Sequence, residues 1–337
     1  MPVNQTLSNF SDVAFQSAFI IYVLALVLSL IYYGRMQGVI DARRTLARAE
    51  QKELVAVGDG GSGGTGSTPV GDDVPEISEV ERLEARANKF GGMTQSLIWL
   101  GIIVHAAAAV LRGLATDRFP FGNLYEYVLV TTVFVMVAAA IAIQRKEWRI
   151  VWPWLLVPIL ALLFFGGTKL YADSAPVVPA LQSNWLPIHV SIVSSGAAIG
   201  MLSGIASLLY LLRIWQPQGQ EHGIFGAIAK PLPSAKKLDA MAYRTAILTL
   251  PVFGLGIVLG ALWAEAAWGR FWGWDPKETV SLISWVLYAA YLHARATAGW
   301  RNWKAAWINI AALATTIFNL FFINMVVSGL HSYAGLN

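Results

Sequence analysis

Eight stretches of this sequence are long and apolar enough to cross a lipid bilayer as helices. A transmembrane helix needs about 20 mostly apolar residues. The sequence therefore predicts an all-α, polytopic membrane helix bundle of about eight transmembrane helices. The predicted spans are residues 13–33, 94–111, 127–143, 151–167, 190–212, 246–263, 280–294 and 307–330.

The seventh of these spans, residues 280–294, is the least apolar. Polar residues are tolerated in a spanning helix that faces other helices, so the stretch is kept as a predicted span. Residues 13–33 lack a basic leader and are followed by basic residues, which indicates a first transmembrane helix rather than a signal peptide.

Composition agrees with a membrane protein and argues against several other classes. Hydrophobic residues make up 56% of the 337 positions and charged residues 13%. That is about half of the roughly 25% charge typical of soluble domains, so a large soluble enzyme and a disordered chain are disfavoured. The absence of cysteine excludes disulfides, thiolate-bound zinc, iron–sulfur clusters and catalytic thiols in this chain.

The distribution of basic residues predicts the orientation. Connections on one side of the predicted spans hold 19 of the 24 Lys and Arg residues. When the eight in the long first loop are discounted, the ratio is still 11 to five, so this side is predicted to be cytoplasmic. Both termini are then outside, and the net charge of +4 reflects topology rather than nucleic-acid binding. The five outer cations are Arg112, Arg118, Lys169, Arg270 and Lys277.

Three regions follow along the chain. Residues 1–34 form the first transmembrane helix. Residues 35–91 form a cytoplasmic basic extension, within which the Gly-, Ser- and Thr-rich stretch 58–73 is typical of a flexible linker. Residues 92–337 form a seven-helix membrane domain.

One outer loop is unusually rich in tryptophan. It places Trp263, Trp268, Trp272 and Trp274 within twelve positions. An interfacial aromatic belt is one interpretation, although such belts are spread over many helix ends. The other is an apolar platform at the membrane surface that stacks on a large planar ligand and keeps water from it.

The end of this loop combines a helix start with two cations. Asp275, Pro276 and Glu278 have the spacing of a capping box, so helix initiation explains them without an acid–base role. Arg270 and Lys277 could pair with carboxylates of a ligand. Contact with lipid headgroups is the alternative for both cations.

The five histidines differ in predicted depth. His189 and His331 lie at the level of the Trp-rich loop and are best explained as two ligands of one metal or haem iron. His293 lies near the inner end of the seventh span, where an ionisable residue is a functional candidate; a second ligand would come from elsewhere, such as another chain. His105 is expected to be a core residue and His222 a surface residue.

These features resemble the tryptophan-rich "WWD" motif of haem-handling proteins in cytochrome c maturation. The similarity is to the CcsA/ResC branch of the system II pathway, called CcsB in some bacteria, and it runs from about residue 97 to 333. The principal motif is Trp268-Gly269-Arg270-Phe271-Trp272-Gly273-Trp274-Asp275-Pro276-Lys277-Glu278. The other matches are Phe119-Pro120, Asn123-Leu124-Tyr125-Glu126, Trp185-Leu186 with His189, Tyr291-Leu292-His293-Ala294-Arg295 and Gly329-Leu330-His331-Ser332-Tyr333.

The resemblance implies a cytochrome c synthase, or haem lyase. Such proteins pass haem b from the cytoplasmic side to the outer surface and support its attachment to the Cys-x-x-Cys-His motif of apocytochrome c. By position, His189 and His331 match the axial ligands of the outer haem, and His293 matches the haem entry site. The remaining site residues carried over are Trp268, Trp272, Trp274 and Asp275 around the haem, with Arg270 and Lys277 as candidate partners of the propionates.

The resemblance also implies partners and a location. A ResB-like membrane subunit would supply the second histidine of the entry site, and apocytochrome c would be the acceptor. Thioredoxin-like proteins would keep its cysteines reduced, since this chain has no thiol. Lipid surrounds the spans, and no nucleic acid is expected. The location is the bacterial cytoplasmic membrane, with the WWD loop and both termini on the outer face.

Two other functions are consistent with parts of the sequence. A membrane-bound b-type electron-transfer cytochrome would need histidine pairs at matched depths inside the bundle on both sides, and only the outer pair is matched. A transporter of another planar anion would use the same loop without binding iron. Haem spectra of the purified protein would separate these possibilities.

Overall fold

A computed structural model describes residues 3–58, 74–177 and 179–331 of the chain. Within these ranges it is helical, without β-strands. The predicted linker lies outside the described residues except for Gly58, as do Ser332 and Tyr333 of the last motif. The helices are α1 Gln5–Gly58, α2 Ile77–Thr116, α3 Leu124–Ala142, α4 Trp152–Lys169, α5 Trp185–Trp215, α6 Gly223–Ala229, α7 Ala235–Trp268, α8 Pro276–Ala296 and α9 Trp303–Phe318.

Seven helical segments in the described part of the chain are long and apolar enough to cross a membrane. They contain α1, α2, α3, α4, α5, α7 and α9. The predicted polytopic all-α bundle is therefore confirmed. Helix α8 coincides with the predicted seventh span but is more polar than the others. Two of its polar side chains form hydrogen bonds with the neighbouring helical segment. Ser284 donates to Thr315 on α9 at 3.0 Å, and Ser281 accepts from Asn319 at 2.8 Å.

The last predicted span, residues 307–330, is wrong at its carboxyl end. Helix α9 ends at Phe318, a π-helical turn follows at Asn319–Ile323, and residues 326–331 are non-helical. The side-chain amide of Asn324 donates to the carbonyl of Leu320 at 2.6 Å. Such local side-chain bonds compete with continuation of a helix. His331 consequently lies on a turn and not at the end of a helix.

Helices α1 and α2 are much longer than a membrane is thick. At 1.5 Å per residue, the 54 residues of α1 span about 80 Å and the 40 residues of α2 about 60 Å. A hydrocarbon core is about 30 Å thick. The basic extension therefore continues α1 as helix beyond the bilayer, and α2 packs along it.

Glycines bring α5 and α7 into close contact below the candidate site. A Cβ atom at Gly196 would lie 2.6 Å from the Cα of Phe253, and one at Gly256 would lie 2.6 Å from the Cα of Val193. No real side chain tolerates such distances from a backbone atom, so only glycine permits this approach. The close packing brings the backbone of α7 within hydrogen-bonding distance of the first turns of α5.

Candidate functional site

A cavity lies where α5 begins, α7 ends and α8 begins. Both candidate ligand histidines of the Trp-rich end of the bundle contribute to it. The polar and aromatic residues that define its chemistry are Tyr127, His189, Trp263, Trp272, Lys277 and His331.

His189 is held in the first turn of α5 by the backbone of α7. Its Nδ1 lies 2.8 Å from the carbonyl oxygen of Gly256. Because a carbonyl can only accept, Nδ1 carries the proton and Nε2 has the lone pair that could bind a metal. The ring fits because Gly260 lacks a side chain: a Cβ there would lie 2.6 Å from Cε1 of His189.

His331 is held by a carboxylate. Its Nδ1 lies 2.7 Å from Oδ1 of Asp275. Burial lowers the pKa of His331, although the hydrogen bond that it donates to Asp275 opposes this shift. Burial alone would raise the pKa of Asp275, but the bonds it accepts from His331 and the backbone lower it to about 2. Near neutral pH the pair is therefore a neutral imidazole, protonated at Nδ1, beside an anionic carboxylate.

Asp275 also begins α8, as the sequence predicts. Its side chain accepts a hydrogen bond from the backbone N–H of Lys277 at 3.1 Å. The side chain of Glu278 accepts one from the backbone N–H of Asp275 at 3.2 Å. The capping box is thus confirmed. The second carboxylate oxygen accepts from the backbone N–H of Leu330 at 2.8 Å, which ties the start of α8 to the segment carrying His331.

The four tryptophans of the loop occupy different places. Trp263 is 1% exposed and lies between the two histidines, with ring centroids 5.9 Å from His189 and 5.6 Å from His331. Trp268 lies behind it, 4.7 Å from Trp263 and 5.0 Å from His331. Trp272 lines the cavity, whereas Trp274 is 68% exposed and touches the edge of Trp272. The loop thus provides both a wall and a support for the histidines.

The two cations of the loop differ in position. Lys277 lines the cavity, donates to Oδ1 of Asn324 and lies 5.5 Å from the ring of Tyr127. Arg270 is paired with Glu278 at 3.0 Å and lies over Trp268, outside the cavity lining. Of the two, Lys277 is placed to meet an anionic group of a bound ligand.

The other histidines lie elsewhere. His293 is exposed near the far end of α8 and is not among the cavity residues. His105 is fully buried, 3.4 Å from the hydroxyls of Tyr22 and Thr132, so its expected core position is confirmed. His222 is exposed at the start of α6, also as expected. In the described ranges, His105 and His293 do not form the second pair that an electron-transfer cytochrome would need.

Three parts of the site, at Trp263, Gly256 and Gly260, are not predicted by the sequence. Trp263 ends a predicted span, so the sequence marks it only as one aromatic residue of the loop. Gly256 and Gly260 have no reactive side chain. They are four positions apart, so they lie on the same face of a helix, and this spacing is the feature of the sequence that indicates close packing of another helix against that face.

The donor set fits haem. Two neutral imidazoles with fixed Nδ1 protons are suitable axial ligands for iron, and aromatic walls with one lysine suit a planar ring with carboxylates. Nowhere in residues 3–58, 74–177 or 179–331 do three or more His, Asp or Glu side chains form a group that could hold a bare metal ion.

Comparison with known proteins identifies the family. The model of the family described as "Cytochrome C assembly protein" matches residues 121–331, which include every residue of the cavity. The chain belongs to this family. Relatives include the cytochrome c biogenesis protein CcsA of Guillardia theta, 33% identical over 243 residues that cover 67% of this chain and 80% of the relative. The CcsA protein of Parasynechococcus marenigrum (strain WH8102) is 31% identical over 270 residues, covering 72% and 86%.

A solved structure supports the fold of this cytochrome c assembly protein. The structure titled "Cytochrome c Heme Lyase CcmF" superposes with a TM-score of 0.52 at 15% identity, over 95% of this chain. This chain spans about half the length of that structure, 49%. The family and the helical segments together show a multi-pass membrane protein of cytochrome c biogenesis.

Proposed function

We propose that this cytochrome c assembly protein presents haem b for attachment to apocytochrome c, as the haem-handling subunit of a cytochrome c synthase. One observation carries the proposal. Two histidines from distant parts of the sequence line one aromatic cavity, and each has its Nδ1 proton fixed by an acceptor. Both therefore have the lone pair on Nε2 that iron requires.

The cavity residues have separate roles in this function. His189 and His331 would bind the iron on its two faces. Trp263 supports both imidazoles, and Trp272 lines the cavity and keeps water from the ring. Lys277 meets a propionate, whereas Arg270 is held by Glu278 and fixes the loop.

Attachment then requires positioning rather than a protein nucleophile. The S–H bond of each apocytochrome cysteine adds across a haem vinyl group, so a C–S bond forms and the proton ends on the other vinyl carbon. No electrons are gained or lost overall. Holding the vinyl edge beside the thiols converts a bimolecular reaction into an effectively unimolecular one.

Orientation and partners complete the proposal. The cavity and both termini face the outside of the cytoplasmic membrane, because the basic connections are predicted inside. A ResB-like subunit contributes to haem entry at His293, which is exposed on α8 where a second chain could reach it. Thioredoxin-like proteins supply reduced apocytochrome.

Co-expression tests the function directly. The protein is expressed with its ResB-like partner and a reporter apocytochrome c in a host that lacks its own maturation system. Covalent haem on the reporter, detected by haem staining after denaturing electrophoresis, is the expected result. Purified protein that contains no haem, together with an unmodified reporter, would refute the proposal.

Replacing His293 with alanine is expected to lower haem at the outer cavity several-fold without changing the absorption spectrum of the haem that remains. The reason is that His293 lies outside the cavity and would act on delivery alone. The measurement is haem content and spectrum of the purified complex. His222→Ala is the control, since His222 is another exposed histidine outside the cavity. Haem content equal to that of the control would remove His293 from the pathway.

A further inference from the structure

The two cavity histidines differ in how they are held. We propose that His331 is the anchored ligand, which stays on the iron, and that His189 is the ligand replaced by the incoming histidine of apocytochrome c. This inference rests on the proposed function and names the order of ligand exchange at the same site.

The first argument is the strength of each ligand as a donor. His331 donates its Nδ1 proton to the carboxylate of Asp275 at 2.7 Å, whereas His189 donates to the neutral carbonyl of Gly256 at 2.8 Å. Hydrogen bonds to ionised partners are roughly twice as strong as neutral ones. A carboxylate partner also raises the basicity of a metal-bound imidazole. Nε2 of His331 is therefore the stronger donor to iron.

The second argument is the rigidity of the carboxylate. Asp275 is 7% exposed and is fixed by the backbone N–H groups of Lys277 and Leu330, at 3.1 and 2.8 Å. The same carboxylate thus holds the imidazole of His331 and the peptide group before it. To leave the cavity, His331 would have to break its imidazole bond to Asp275, and the bond from the backbone N–H of Leu330 to the same carboxylate keeps the segment beside it in place. His189 is held by a bond to the neutral carbonyl of Gly256.

The third argument is the direction of access. A groove runs between the loop before α3 and the loop before α5. Its wall includes Leu186, Pro187 and Ser191, which come from the same turns of α5 as His189. Phe121 and Leu186 also line the adjoining pocket that contains both histidines. A polypeptide in this groove would reach the cavity beside His189.

Ligand exchange by this route is balanced without other reactants. The bond between iron and Nε2 of His189 breaks as the bond to the imidazole of the incoming histidine forms. Both imidazoles are neutral, so neither a proton nor an electron is transferred. His189 keeps its bond to Gly256 and is ready for the next haem.

Single alanine variants and free imidazole test the asymmetry. The complex with the ResB-like subunit is purified as wild type, His189→Ala and His331→Ala. We expect His189→Ala to retain most of its haem and to regain the six-coordinate, low-spin spectrum when imidazole is added. His331→Ala is expected to lose haem at least 10-fold. Equal losses, or the reverse order, would overturn the inference.

Asp275→Asn separates anchoring from folding. Asparagine caps helices as well as aspartate, so α8 still starts, but the anionic partner of His331 is lost. Removal of such a partner costs about 10–100-fold in metal affinity. We expect haem affinity to fall by that factor and the midpoint potential of the remaining haem to rise. Asp239→Asn is the matched control, because Asp239 pairs with Arg295 at 2.7 Å away from the cavity.

The outcomes distinguish this inference from the proposed function. Wild-type complex that binds haem and matures the reporter, with an unchanged potential in Asp275→Asn, would overturn the inference alone. Wild-type complex without haem would overturn the proposed function itself.

Discussion

Replacing both His189 and His331 with alanine is expected to abolish haem binding at the outer cavity and to reduce reporter cytochrome c to background. Both iron ligands are removed at once, and the remaining side chains of the cavity cannot substitute for imidazole. Haem per purified complex and covalent haem on the reporter measure the effect, which should exceed 100-fold in maturation.

The control for the double variant is a test that it still folds. The imidazoles pack on Trp263, so their removal leaves space in an aromatic cluster and breaks the contact of His331 with Asp275. We expect unchanged helical content by circular dichroism and unchanged elution in size-exclusion chromatography. A double variant that is folded, contains haem with the wild-type spectrum and matures the reporter would show that these histidines do not bind the iron.

Gly260→Ala is the second substitution with a large expected effect. The new Cβ would lie 2.6 Å from Cε1 of His189 and 2.9 Å from its Nδ1, so the imidazole must move away from α7. A displacement of about 1 Å can cost 100-fold in a reaction that depends on positioning. We expect maturation of the same reporter to fall towards the level of His189→Ala, and the bound haem to lose its six-coordinate, low-spin spectrum as in that variant.

Gly38→Ala is the matched control for this substitution. Both glycines are helical, and a Cβ at Gly38 meets no atom within 4 Å. Alanine is favoured over glycine in a helix by about 1 kcal/mol, so both variants gain the same intrinsic helix stability. A loss confined to Gly260→Ala then comes from the contact with His189. A wild-type haem spectrum and wild-type maturation in both variants would contradict the placement of His189 against α7.

The sequence predicted those parts of the site that depend on local spacing or on depth. The capping box at Asp275 follows from the local spacing of Asp275, Pro276 and Glu278, and the structure confirms it. The common level of His189 and His331 is predicted from the ends of two spans, and both side chains line one cavity although the helix before His331 ends earlier than predicted. Helix starts are determined by short segments, and the depth of a span is determined by the bilayer. Both can therefore be predicted without knowledge of tertiary packing.

Contacts between distant segments could not be predicted in this way. The bond between Asp275 and His331 joins residues 56 positions apart and exists because the chain leaves helical geometry after Met325. Hydropathy favours a continuous helix there, whereas the amide of Asn324 bonds the backbone of the preceding turn. The role of Gly260 likewise depends on which helix packs against α5. Such features require tertiary structure, since no single segment encodes them.

Helix α8 links His293, near its carboxyl end, to the carboxylate of Asp275 at its start, which holds His331. Asp275 caps one end, and His293 lies 18 residues further along, about 27 Å away at 1.5 Å per residue. An α-helix without proline in its interior moves as a stiff rod, and the one proline of α8 is its first residue. An axial shift of this rod, imposed at His293 by a neighbouring subunit, would be carried to the carboxylate that holds His331.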